Sequence, residues 1–407
     1  MAIQLRIIVL VFLTSWLAGC ASNGAEAPGV GGEPEAALIE GLSARAKAGD
    51  VVDGLLFWSQ PERRVAFGHV DQIFPTRTIQ AGDSPYALTS QSVDLSDIRY
   101  QVDGKQYSLA DFRAMDAHVG LIVVQDDTIL AEHYSATNTA ETRWISFSVS
   151  KSVTSMLIGA AIKDGFIESV DDPVINYLPR LRGTAYEHTT IKNVLNMASG
   201  VKWNEDYADR DSDVAKAGGL NGVELVKYLA TLPTEVTPGE KFNYSTGETN
   251  LVGEILRAAI GNNASTYLSK KIWKPFGMGA DATWLLGGED GGELGGCCIS
   301  ATLRDYARIG LFALHNGQLK DGTEVLPENW IQQSTAPSLG MDGYGYLWWL
   351  FGSERFAALG IFGQQIFVEP KSNLVIAMHS NAPTAVDSEY SKHQRALVQA
   401  LFARFSR

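Results

Sequence analysis

Two stretches of the chain alternate or run apolar in the manner of β-hairpins. Gly120-Leu-Ile-Val-Val-Gln125 and Thr128-Ile-Leu-Ala-Glu-His-Tyr134 are β-branched runs on either side of Asp126-Asp127, a separation that predicts a tight two-residue turn. Far downstream, Gln365-Ile-Phe-Val-Glu369 and Leu374-Val-Ile-Ala-Met378 repeat the pattern around Pro370 to Asn373. Strands are therefore expected at both ends of the chain. In between the period becomes helical: Ser152–Lys163, Ile191–Ser199, Thr249–Ile260 and Leu303–Asn316 each run into a glycine, at 165, 200, 261 and 317. Glycine adopts the left-handed conformation that closes a helix at least cost. Thr302-Leu-Arg-Asp305 reads as a capping box with Asp in place of Glu. A last helix, about Glu389 to Phe405, sets Ala396, Leu397, Ala400 and Leu401 on one face. No internal repeat is visible, which argues against solenoids and propellers. The economical architecture is α+β, an antiparallel sheet flanked by helices. Residues of about 51–165 and 335–407 supply the sheet domain, and about 166–334 form a mainly helical insertion.

Composition narrows the partners. A formal net charge of −13 and the absence of any basic run argue against nucleic acid and against an anionic membrane surface, both of which require clustered Lys and Arg. Small molecules or neutral polymers remain. Three cysteines and seven scattered histidines show no metal-ligand spacing, so neither a metal nor another cofactor is expected. Adjacent Cys297 and Cys298 could bridge each other only through a strained ring and are read as small buried fillers.

The amino-terminal residues MAIQLRIIVLVFLTSWLAGC carry one positive charge, Arg6, before an apolar stretch from Ile7 to Leu17. That stretch is too short to cross about 30 Å of hydrocarbon, which takes roughly 20 helical residues, and it reads as a signal peptide over 1–19. Its ending, Leu17-Ala18-Gly19-Cys20, resembles the bacterial lipoprotein box, which implies lipidation of Cys20 and a membrane anchor made of acyl chains. Residues 20–50 begin with a Gly, Ala, Pro and Glu-rich run and are expected to be a flexible tether, leaving 51–407 as the folded unit. Ala21 and Ser22, with no Asp after Cys20, resemble outer-membrane sorting, so the expected location is the periplasm-facing cell envelope.

The strongest chemical signal is Trp144-Ile-Ser-Phe-Ser148-Val-Ser-Lys151, where an aromatic loop turns into an apolar helix. Positions i and i+3 share a helical face, which sets the Lys151 ammonium one turn below the Ser148 hydroxyl. A serine needs a base, and a lysine can act as one if burial and the positive potential of a helix start favour its neutral form. That same first turn leaves backbone N–H groups free to hold an oxyanion. A second Ser-x-x-Lys, Ser199-Gly-Val-Lys202, straddles a helix end, where both the geometry and the sign of the potential are wrong.

Several spaced motifs occur in order: Ser148-x-x-Lys151, Asp171-Asp-Pro-Val-Ile-Asn-Tyr-Leu-Pro179, Ile191 to Trp203, Pro238-Gly-Glu-Lys-Phe-Asn-Tyr244-Ser-Thr, Gly277-Met278 and Gly360-Ile-Phe-Gly-Gln364. From Gly120 to Met378 the sequence resembles the serine β-lactamase and penicillin-binding-protein superfamily, in particular 6-aminohexanoate-dimer hydrolases and class C-like, family VIII-type esterases. The resemblance implies a β-lactamase/transpeptidase-like fold and an acyl-enzyme on Ser148, with Lys151 and Tyr244 moving protons. It further implies an oxyanion hole from the N–H groups of Ser148 and Gln364. Substrate contacts are implied at Trp203, Tyr207 and Asp211, and at Thr246 and Gly363. Thr246 replaces the Asn of the family's Tyr-x-Asn motif. Ile361-Phe362-Gly363 replaces Lys-Thr-Gly, removing the cation and hydroxyl that hold the carboxylate of a β-lactam or D-Ala-D-Ala peptide. The expected enzyme is therefore an amidase or esterase without cofactor, acting on a small-molecule amide or ester. A D,D-peptidase or β-lactamase, or a catalytically silent envelope binding protein of the same fold, is the alternative. Trp348 and Trp349 are read as sheet core.

Overall fold

The computed structural model describes residues 35–48, 55–135 and 137–406; the expected signal peptide, Cys20 and the first part of the expected tether lie outside them, while Glu35–Ala48, expected as tether, forms a helix that buries Leu42. Strands β1 to β13 are Thr76–Ile79, Thr89–Ser90, Arg99–Val102, Lys105–Ser108, His118–Gln125, Thr128–Tyr134, Arg143–Ile145, Ala282–Leu285, Ile299–Thr302, Trp349–Leu350, Phe356–Leu359, Gln365–Glu369 and Leu374–Ser380. The main sheet has seven strands in the order β10-β11-β12-β13-β5-β6-β2. Its centre joins the two ends of the chain, with β13 antiparallel to β5. Asp126 and Asp127 form the β5–β6 turn with φ of 48° and 62°, as a type I′ turn requires. At the edge, β2 pairs parallel with β6, the one departure from an antiparallel sheet.

Both faces of the sheet are covered. The longer helices are α1 (Glu35–Ala48), α2 (Val149–Lys163), α3 (Thr246–Ile260), α4 (Leu303–Leu314) and α5 (Ser388–Phe405). Along β13, Val375 and Ala377 enter the core shared with α2, α3 and α4, while Leu374, Ile376 and Met378 enter the core shared with α5. Helix α4 lies close to the strands because residue 310 is glycine: a Cβ there would sit 2.6 Å from a methyl of Val375. Every residue of β5 is buried, which is why the strand reads as an unbroken apolar run.

A second sheet, β1-β8-β9-β7, lies beside the start of α2. Its strands β8 and β9 come from within the stretch expected to be a helical insertion, so the chain returns to sheet at Ala282 rather than near 335. Each is four residues long and buried at every position, leaving no alternation to read in the sequence. Gly165, Gly261 and Gly317 follow the ends of α2, α3 and α4 with positive φ, whereas the helix begun at Ile191 already ends at Leu195 and Gly200, also of positive φ, lies in the loop beyond it.

Candidate active site

The turn between β7 and α2 is held from several directions. Ser146 donates its N–H to the Ile299 carbonyl at 2.8 Å, and its hydroxyl oxygen accepts the Ile299 N–H at 2.9 Å. Phe147 has φ of 45°, a left-handed conformation that is costly for a bulky side chain and persists only where its surroundings enforce it. Here the enforcement is visible: its carbonyl accepts from the hydroxyl of Ser150 at 2.9 Å, and its ring packs between Phe67 and Phe362 at 5.0 and 4.9 Å. Ser148 follows as the residue capping α2, with no capping hydrogen bond on its side chain. Its hydroxyl lies on the side of Tyr244 and acts to lower the phenol pKa.

Lys151, one turn into α2, is 1% exposed. Its Nζ donates to Thr246 Oγ1 at 3.0 Å and to the Gly296 carbonyl at 2.8 Å, and lies 5.4 Å from the centre of the Tyr244 ring. A side chain at residue 296 would collide with this amine, its Cβ falling 2.9 Å from Nζ. Burial lowers the Lys151 pKa to about 8, against a smaller upward pull from Glu205. Tyr244 is pushed above the ordinary phenol value, chiefly by burial and next by Glu205, while Ser148 acts in the other direction. Its ring stacks on Trp349 at 5.7 Å and 21°. The pair at 348 and 349 is thus split: Trp348 is fully buried in the core, and Trp349 faces the cleft instead of joining it there.

Glu205 escaped the sequence reading, which weighed the aspartates of its loop. It accepts hydrogen bonds from the Tyr207 hydroxyl at 2.8 Å, the Thr246 N–H at 2.9 Å, the Thr246 hydroxyl and the Trp203 indole N–H. A carboxylate at the first N–H of α3 is where the helix potential favours it. Thr246 links the amine of Lys151 to the carboxylate of Glu205 and also borders the cavity beside Ser148, where a substrate contact is expected of it. The signal available in the sequence was Trp203-x-Glu205-x-Tyr207, three groups able to converge from one loop.

The other expected substrate contacts fall in different places. Tyr207 borders the cleft. Trp203 is buried beneath the first turn of α3, where residue 247 must be glycine to admit its ring. Asp211 is not brought to the site; its side chain is 90% exposed and pairs with Lys216 at 3.3 Å. Gly363 borders the cleft with φ of 91°, its carbonyl accepting from Gln394 Nε2 at 2.7 Å. Gln364, whose N–H the sequence reading expects in the oxyanion hole, is fully buried with Nε2 donating to the Ser380 carbonyl at 3.0 Å, and it borders neither cavity of the cleft. The residue of this loop that borders Ser148 is Ile361. Neither the Ile361 N–H nor that of Ser148 has a protein acceptor among the described residues. Gly360 permits the approach, since a Cβ there would lie 2.6 Å from the Ser146 carbonyl. Cys297 and Cys298 are joined as a disulfide; Cys298 is buried and Cys297 borders the cleft beside Ser148. Ser199 of the second Ser-x-x-Lys is buried against Glu248, and Lys202 is exposed.

A sheet built from both chain ends, with a serine, a buried amine and a phenol converging where a helix begins, defines a class of serine hydrolase. Residues 112–400 match the beta-lactamase family, and the chain belongs to it. It is 27% identical over 351 residues to the 6-aminohexanoate-dimer hydrolase of Paenarthrobacter ureafaciens, covering 80% of this chain and 87% of that protein. The fold is shared with a candidate 6-aminohexanoate-dimer hydrolase from Bacillus anthracis, with TM-score 0.74 and 20% identity over 84% of this chain and 95% of that one. It is shared also with a family VIII carboxylesterase, with TM-score 0.54 and 16% identity over 70% and 93% of the two chains. The chain is accordingly a serine hydrolase of the amidase and esterase kind.

Proposed function

We propose that this protein cleaves an amide or ester through an acyl-enzyme on Ser148. The observation that carries the reading is the buried Lys151 amine, one helical turn from Ser148 and 5.4 Å from the centre of the Tyr244 ring, whose burial brings its pKa to about 8. In the neutral form Lys151 accepts the proton released as Ser148 attacks the carbonyl, directly or through the phenol. Tyr244 then returns a proton to the leaving atom, the acyl–oxygen or acyl–nitrogen bond breaks, and water repeats the sequence to free the acid. The N–H groups of Ser148 and Ile361 hold the developing oxyanion; removing one such donor typically costs about 3 kcal/mol of transition-state stabilisation. Glu205 acts through Thr246 as a positioning residue that holds the Lys151 amine toward the serine.

No Lys or Arg borders the cleft among the described residues, which favours substrates without a carboxylate beside the scissile bond over penicillins and D-Ala peptides. Linear aminohexanoate amides, named for the Paenarthrobacter relative, and simple esters are the substrates to try first. Ser148→Ala is expected to lose fluorophosphonate labelling and at least a thousandfold of p-nitrophenyl acetate hydrolysis; a variant that hydrolysed at the wild-type rate would refute the mechanism.

Export is part of the same proposal: the leader and the Leu17-Ala18-Gly19-Cys20 box support a lipid-anchored protein of the periplasm-facing envelope, in the outer membrane. Metabolic labelling with an alkyne fatty acid should mark the wild type and spare Cys20→Ser.

A further inference from the structure

The two acceptors of the Lys151 amine, Thr246 Oγ1 and the Gly296 carbonyl, differ in how they are held. Thr246 is fixed by its own bonds to Glu205. Gly296 has no side chain and lies in a turn between β8 and β9, so its carbonyl is aimed only if the peptide group before it is fixed.

That peptide group is gripped from both sides. Its carbonyl, of Gly295, accepts from the Thr154 hydroxyl at 2.7 Å, and its N–H, of Gly296, donates to Asn250 Oδ1 at 2.9 Å. Thr154 lies three residues beyond Lys151 on α2, and Asn250 four beyond Thr246 on α3. Each therefore stands one turn deeper on the helix face that bears a residue of the site. Both side chains are buried, at 0% and 1% exposure. The direction of the Asn250 amide is set by its surroundings: Nδ2 donates to the Gly218 carbonyl at 3.0 Å, which leaves Oδ1 for the Gly296 N–H. The turn comes this close to α3 only as glycine, since a Cβ on residue 295 would lie 2.3 Å from the Thr249 carbonyl oxygen.

The direction of the Gly296 carbonyl matters to the chemistry because a neutral amine has two N–H groups and one lone pair. Thr246 donates its hydroxyl proton to Glu205, so Oγ1 meets the amine as an acceptor. With the Gly296 carbonyl as the second acceptor, both N–H groups of neutral Lys151 are engaged, and the lone pair takes the one direction that remains. We infer that Asn250 and Thr154 are positioning residues for the proton transfer: by holding the Gly295–Gly296 peptide group they fix the second acceptor of Lys151 and keep the amine lone pair turned toward Ser148. The inference rests on the reading of Lys151 as the proton acceptor given above. Neither residue borders the cavities of the cleft, so neither acts by touching substrate.

The test follows p-nitrophenyl acetate hydrolysis against pH in the full-length wild type, Thr154→Val, Thr154→Ser and Asn250→Ala. Thr154→Val and Asn250→Ala should each lower the plateau kcat about tenfold, within the roughly hundredfold that a misplacement of about 1 Å can cost, while KM changes by less than about threefold. Both should also move the midpoint of kcat/KM to lower pH, because an ammonium that loses an acceptor is less favoured. Thr154→Ser keeps the hydroxyl and should match the wild type in midpoint and, to within about twofold, in kcat. Midpoints and KM do not depend on the fraction of protein correctly folded, and the Thr154 pair decides alone if Asn250→Ala is not recovered. An unchanged midpoint in Thr154→Val and Asn250→Ala, or equal losses in Thr154→Val and Thr154→Ser, overturns the inference; inactivity of Ser148→Ala then keeps the serine mechanism standing without it. Hydrolysis at the wild-type rate by Ser148→Ala or by Lys151→Ala removes the mechanism and the inference together.

Discussion

At residue 151 two demands oppose each other. The amine has two hydrogen-bond acceptors and a carboxylate one residue further on, yet it is buried where an ammonium is poorly solvated. Burial wins, and the pKa falls to about 8. Below that pH Lys151 is an ammonium and cannot accept the serine proton; above it the amine is free to do so. We therefore expect kcat/KM to rise with pH through a midpoint near 8, reaching a plateau above it. Because Glu205 pulls the Lys151 value upward, Glu205→Gln should move the midpoint to lower pH, and Thr246→Val should lower kcat while leaving KM for a small ester nearly unchanged. A pH–rate profile whose midpoint is the same in wild type and Glu205→Gln would show that the carboxylate does not act on the amine. The spacing of Ser148 and Lys151 was legible in the sequence because one helix sets it. Glu205 was not, since the local Trp203-x-Glu205-x-Tyr207 pattern does not show the contact with Thr246, 41 positions away, from which its role comes.

The elements tell the same story of range. Helices α2, α3 and α4 could be read from periodicity and their glycine stops, although α2 and α3 each begin three residues before the apolar period does. In both cases the first turn carries the polar groups of the site, Ser150 and Lys151 in one and Thr246 and Glu248 in the other, and so breaks the apolar pattern. The loop between β11 and β12 shows what an element must give up to reach the site. Gly363 takes φ of 91°, and a Cβ there would lie 2.9 Å from both Gln394 Oε1 and Tyr390 Cε1 of α5. Gly363→Ala is expected to destabilise the fold by about 1 to 3 kcal/mol, the usual scale of such backbone strain, as measured by urea unfolding. It should also lower esterase activity, because the same loop carries Ile361 to the serine.

For the whole molecule, folding stability is tied to a carboxyl that does no chemistry in the proposed reaction. Glu248, in the first turn of α3, is 2% exposed; Ser199 donates to one of its oxygens, and the other is buried without a partner. Burial raises its pKa to about 8, from an ordinary value of 4.5, and the nearby charge of Glu205 acts in the same direction. Between those two values the native state keeps a proton that the unfolded chain has released. Stability must then decline as pH rises across that window, with the loss complete above about 8. This decline runs against the expected gain in activity, so the pH that frees Lys151 is also the pH at which the fold is asked to accept a buried charge. Glu248→Gln keeps the shape and removes the titration. Its unfolding free energy relative to wild type should improve steadily from pH 5 to pH 8, read by urea denaturation at each pH. A difference that stays constant across that range would mean that Glu248 is already ionised in the native protein.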